Sequence, residues 1–159
     1  MDRRRWLFRS AAFAVTAPPL ATLLTACGRG AGDEGPAEVH WGRDTCTHCG
    51  MVISDRRFAA QVRGGPQREA RSFDDIGCAL TWLGGQPWGR DAGVRVWVAA
   101  LASEGESARW LDARRAHYVS GPQSPMGYNF GAQDAPSPGS LDFAALQARV
   151  PVPSAPGAP

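Results

Sequence analysis

The chain has 159 residues, a formal net charge of +2 and four cysteines, room for one domain or two very small ones. The charge is unevenly spread: Arg3, Arg4, Arg5 and Arg9 against Asp2 give the first 26 residues a net of +3, leaving about −1 for the remainder. That balance leaves no basic face of the kind nucleic acid requires.

The basic start "MDRRRWLFRS" is followed by the apolar, charge-free run "AAFAVTAPPLATLLTA". This is the layout of an export signal, and the run is too short and Pro-interrupted for a good membrane-spanning helix. It ends in "LTAC", Leu24 to Cys27, which resembles the bacterial lipobox. Residues 1–26 are therefore expected to be a lipoprotein signal peptide and Cys27 the lipidation site, with a plain signal peptide as the alternative. "RRRWL" also resembles a twin-arginine signal, with Trp6 where that pattern usually has Phe. The Gly-rich stretch 27–37 is expected to be a flexible tether, 38–149 the folded domain, and the Pro- and Ala-rich 150–159 a disordered tail.

Within the domain, "RFAAQVR" (57–63) reads as a strand entering a turn at "GGP", with "REARSF" as its hairpin partner. Ser72, three residues before Asp75, resembles a capping box, and Ile76, Ala79, Leu80 and Leu83 follow as one helical stripe ended by Gly84-Gly85. Cys78 falls roughly opposite Ile76. "VRVWVAAL" (94–101) alternates Val94, Val96 and Val98 on one face of a strand. Short strands are expected at 108–112, 117–120 and around 127–131, then a helix over 141–149. The order implies an α+β domain, with two related small units as one possibility.

Chemistry concentrates in "CTHCGM", Cys46 to Met51. With Cys27 assigned to lipid, an odd set of three cysteines remains: Cys46, Cys49 and Cys78. Internal disulfides cannot close an odd set, so one thiol is free or all three stay reduced and do chemistry. A Cys-x-x-Cys pair can share zinc, but no second such pair exists, and only Cys78, His40 and His117 are spare ligands. A thioredoxin-like redox pair needs a helix directly after the cysteines, whereas "GMVISDRRFAAQV" reads as strand. Met51 opens a third option, because a thioether suits Cu(I) better than zinc. A second methionine, Met126, sits between Pro125 and Gly127 in "GPQSPMGYNF", a turn-forming stretch rather than an apolar stripe. Cys78 reads as a small apolar packing residue, with a dipole-activated thiol as the alternative, and Asp74 and Asp75 read as capping and surface groups.

Together "CTHCGMVIS", "FDDIGCAL" (73–80) and "SPMGYNF" (124–130), in that order behind a lipobox, resemble the nitrous oxide reductase accessory lipoproteins, the NosL family of periplasmic copper chaperones. The resemblance spans most of 45–131. It departs at the C-terminal end, where the family continues through a longer helical region and this chain has "GAQDAPSPGS", a short helix and a Pro-rich tail. It implies a small α+β fold of two ββαβ-like units, similar to domains of organomercurial lyases. It further implies Cu(I) ligands at Cys46, Cys49, Met51 and Met126, with His48 as an extra ligand, and no reaction catalysed. Copper would go to apo nitrous oxide reductase, the protein being lipid-anchored on the periplasmic side, at the outer membrane given that no Asp follows Cys27. The rivals are a thiol-dependent lyase or oxidoreductase using Cys78 or Cys46/Cys49, and a structural zinc lipoprotein.

Overall fold

A computed structural model describes residues 35–151 apart from Glu106. The expected leader, the lipidation site Cys27 and residues 152–159 of the expected tail lie outside the described residues. No described helix is long and apolar enough to cross a membrane.

The described chain is an α+β domain with two antiparallel sheets. Strands β1 (Ala60–Arg63) and β2 (Ala70–Phe73) form the expected hairpin, and helix α1 (Ile76–Gly84) follows directly. Strand β3 (Arg95–Ala99) pairs with the far side of β1, and β4 (Trp110–Asp112) with β3, giving the order β2-β1-β3-β4. A first ββαβ unit is therefore present. Strands β5 (His117–Ser120) and β6 (Phe130–Gln133) make a separate two-stranded sheet, and α2 (Phe143–Arg149) closes the order. Among the described residues no strand follows α2, so β5, β6 and α2 form a ββα run there. The small sheet joins the large one through a parallel bridge between Ala100 and Ala132.

Alternation explains the large sheet. Val94, Val96 and Val98 are buried and Arg95 is exposed, as a strand with one face inward requires. All four residues of β1 are buried, because both of its faces are covered. Ala60 and Val62 face the core, while Gln61 and Arg63 reach the segment before the knuckle. The Gln61 amide pairs with both the N–H and the carbonyl of Ala37 (2.7 and 2.9 Å), and Arg63 donates to the carbonyl of Gly35 (3.2 Å). A buried amide is tolerable only with such partners.

Three expectations need correction. The N-cap of α1 is Asp75, not Ser72: Asp75 has extended backbone angles, and its Oδ1 accepts from Gly77 N at 2.9 Å. Ser72 stays in β2. The helix is buried nearly all round rather than along one stripe, since Ile76, Gly77, Cys78, Ala79, Leu80, Thr81 and Leu83 are all buried. The last strand begins at Phe130, not Gly127, because Gly127 (φ 75°) and Asn129 (φ 60°) hold left-handed turn conformations.

Candidate metal centre

The cysteine knuckle is a closed turn before β1. Thr45 and Val52 form an antiparallel bridge, Cys46 N donates to Met51 O (2.8 Å), and Gly50 N donates to Cys46 O (2.9 Å). Such a reversal needs a left-handed residue, which Gly50 supplies at φ 76°. Thr47 N then donates to Ser72 O (2.9 Å), which ties the knuckle to β2, the strand that leads into α1. Cys78 lies in the first turn of that helix.

These connections bring Cys46, Cys49 and Cys78 together: their Sγ atoms all lie within 4.8 Å of one another, and all three thiols are free. Cys46 and Cys78 are buried and Cys49 is half-buried. Among the described residues, no histidine or carboxylate joins this group. A thioether adjoins the group, with Cys49 Sγ 3.6 Å from Met126 Sδ. His48 is exposed, and so is Met51, at 57%. The group could hold a metal ion.

The electrostatics favour a thiolate at the bottom of the group. The Cys78 thiol donates to Cys46 and holds its pKa down to about 4, against burial, with help from the backbone N–H groups of Cys49, Asp74 and His48. Amides converging on one sulfur, two from the knuckle and one from Asp74 after β2, spread its negative charge as a metal–thiolate turn does. The same hydrogen bond pushes Cys78 well above the ordinary thiol range, and burial pushes Cys49 up. Cys46 is thus the thiolate, while Cys78 and Cys49 keep their protons. A metal cation is the natural replacement for those protons, since each thiolate it draws out is otherwise costly to bury.

Two carboxyls adjoin the thiols, and neither is a surface group. Asp74 is only 3% exposed and its Oδ1 has no hydrogen-bond partner; burial raises its pKa to about 6. Asp75 is fully buried, and desolvation raises its pKa too, opposed by hydrogen bonds from Ser124, Gly77 and the Met126 backbone.

The loop bearing Met126 is built separately. Ser124 Oγ donates to Asp75 Oδ2 (2.5 Å) and accepts from Asn129 N (2.8 Å), while Ser124 N donates to Asn129 Oδ1 (3.1 Å). Tyr128 lies flat against α1 where Gly77 has no side chain; a Cβ there would stand 2.1 Å from the Tyr128 ring. The Tyr128 hydroxyl meets Thr81 Oγ1 at 3.2 Å, and Thr81 donates to Pro151 O.

The family pattern groups Cys46, Cys49, Met51 and Met126, with His48 as an extra ligand; the fold brings the sulfurs of Cys46, Cys49 and Met126 to one place and leaves Met51 and His48 exposed. Sequence reasoning set Cys78 aside as packing, yet Cys78 is both core residue and member of the thiol group. The one signal available was the odd cysteine count in the segment outside the leader. No protein-family model matches the chain, and comparison with curated proteins finds no match.

Proposed function

We propose that the chain is a Cu(I)-binding metallochaperone, lipid-anchored through Cys27 at the periplasmic face of the envelope, which delivers copper for maturation of nitrous oxide reductase. The observation that carries the metal part is the 3.6 Å separation of Cys49 Sγ and Met126 Sδ beside two further free thiols. Cu(I) is soft and content with two to four sulfurs, and a neutral thioether binds it without adding charge. A closed zinc site asks for four Cys or His donors, and only three thiols converge among the described residues. Cys46 and Cys78 are buried while Cys49 and Met126 are half-buried, so an ion would arrive and leave on the Cys49–Met126 side. Met51, five residues after Cys46 and exposed, offers a further thioether to an ion in transit. The chain's part is to bind and hand over an ion, not to turn over a substrate. The anchor and the recipient rest on the resemblance of "LTAC", "CTHCGMVIS", "FDDIGCAL" and "SPMGYNF" to the NosL family.

The test is anaerobic titration of the full chain with Cu(I) against a competing colorimetric chelator, for wild type, Cys49→Ala and Met126→Ala. Tight binding that weakens in both variants supports the reading; equal, weak affinity in all three would sink it. One equivalent of zinc retained through purification and indifferent to Met126→Ala would favour a structural zinc site instead. The recipient is tested by mixing the Cu(I)-loaded chain with apo nitrous oxide reductase and measuring copper in each after separation. Copper that stays on the chain would remove that part of the proposal.

A further inference from the structure

The two halves of the sulfur site meet through one buried carboxylate. Asp75 Oδ1 caps the first turn of α1, the turn that carries Cys78, by accepting from Gly77 N at 2.9 Å. Its Oδ2 accepts from Ser124 Oγ at 2.5 Å, and Ser124 opens the loop that carries Met126. Asp75 is fully buried and Ser124 is 5% exposed, so water does not compete for this bond. The loop has few other ties. Gly127 N donates to Ser124 O (3.1 Å), Gly121 N to Asn129 O (3.1 Å), and Ser124 and Asn129 exchange two bonds, all within the loop and its base. Outside itself, the loop is fastened by Tyr128 at its C-terminal side and by Asp75 at its N-terminal side, where the carboxyl accepts from Ser124 Oγ and from the Met126 backbone. Met126 lies between those two points, with its Sδ on Cys49.

We infer that Asp75 and Ser124 form a positioning pair that sets Met126 against Cys49, so that the thioether's share of metal affinity depends on a hydroxyl that never touches the ion. This rests on the Cu(I) reading above. The reasoning is geometric: a methionine has three rotatable bonds and no directional preference of its own, so its sulfur is aimed by the backbone that carries it. That backbone is held on one side by Asp75, which accepts from the Ser124 hydroxyl and from the Met126 N–H in a water-free setting. Partners of this kind, one step removed from the ion, typically govern affinity by about 10- to 100-fold.

The experiment uses the full chain and four variants: Ser124→Ala, Ser124→Thr, Met126→Ala and the double Ser124→Ala/Met126→Ala. Cu(I) affinity is read by chelator competition, and the thiols are read separately by the ultraviolet Cd(II)–thiolate charge-transfer band. Ser124→Ala is expected to weaken Cu(I) binding about tenfold, Ser124→Thr to restore most of it, and the Cd(II) band to stay unchanged. With Met126 already removed, Ser124→Ala is expected to add nothing. The inference is overturned if Ser124→Ala binds Cu(I) as wild type does while Met126→Ala does not. It is equally overturned if Ser124→Ala costs as much without Met126, or if it also diminishes the Cd(II) band, since the hydroxyl would then support the fold at large. Wild-type affinity in Met126→Ala would instead overturn the thioether reading itself, and the positioning pair with it.

Discussion

Residues 44–84 and residues 117–133 both contribute sulfur, but by different constructions. The first segment sets three thiols into a core: the knuckle is bridged Thr45 to Val52, tied to β2 through Thr47 and Ser72, and backed by a helix buried nearly all round. The second offers one thioether on a loop whose left-handed residues Gly127 and Asn129 turn it back on itself. The two-stranded sheet beneath it touches the larger sheet through the Ala100–Ala132 bridge. A site made this way has a fixed floor and an adjustable wall. On the chaperone reading proposed above, the physical advantage would lie in weakening the thioether without disturbing the three thiols.

The contrast can be broken most forcefully from the thiol side. Cys49→Ala removes the sulfur that faces both the buried thiols and Met126, and it is expected to cost more than about 100-fold in Cu(I) affinity, beyond the range for residues one step from an ion. A loss no greater than that of Met126→Ala would erase the distinction between floor and wall. Cys78→Ala comes next. Whether Cys78 binds the ion directly or only donates to Cys46, its removal is expected to cost about tenfold or more and to shrink the Cd(II)–thiolate band. Wild-type affinity and band in Cys78→Ala would return this residue to pure packing.

Gly77→Ala tests the seam between the halves. Its new Cβ would meet the Tyr128 ring at 2.1 Å, so the ring or the helix must shift. Although Ala is ordinarily the better helix former, overpacking here is expected to cost roughly 1–3 kcal/mol, read as a lowered denaturant midpoint. A midpoint at or above wild type would mean that Tyr128 is not seated on the helix.

The smallest effect concerns pH. Asp74 carries a folded pKa of about 6, above the ~4 of an unfolded chain. Its contribution to stability is present in full below pH ~4, where both states are protonated, and is lost as pH rises through about 6. Asp74→Asn cannot ionise, so the metal-free variant should gain on wild type between pH 4 and 7 in paired thermal melts. A constant difference across that range would show that burial does not penalise the ionised group.

Much of the first region was legible from local pattern. The Val94, Val96, Val98 alternation and the "GGP" turn specify strands by the period of exposed and buried side chains alone, and β1, β2 and β3 form where that period places them. The start of α1 was set one feature too early, because Ser72 and Asp75 are both good caps and only strand pairing of Ser72 with Gln61 decides between them. The second region was harder to read. Around 124–131 the apolar residues have no clear period, and the loop's shape comes from Ser124, Asn129 and a carboxylate 49 positions away.

The sequence by itself determined the α+β class, the hairpin, the knuckle that brings Cys46 toward Cys49, and the candidacy of Met126 as a soft donor. Each is a matter of residue type and short spacing. Only the tertiary structure decided that Cys78 belongs with the other thiols, that Asp74 and Asp75 are buried, and that Met126 rests on Cys49. These depend on burial and on contacts between distant segments, which no local pattern carries. A cysteine in a helix looks the same on paper whether it packs against leucine or against two other sulfurs.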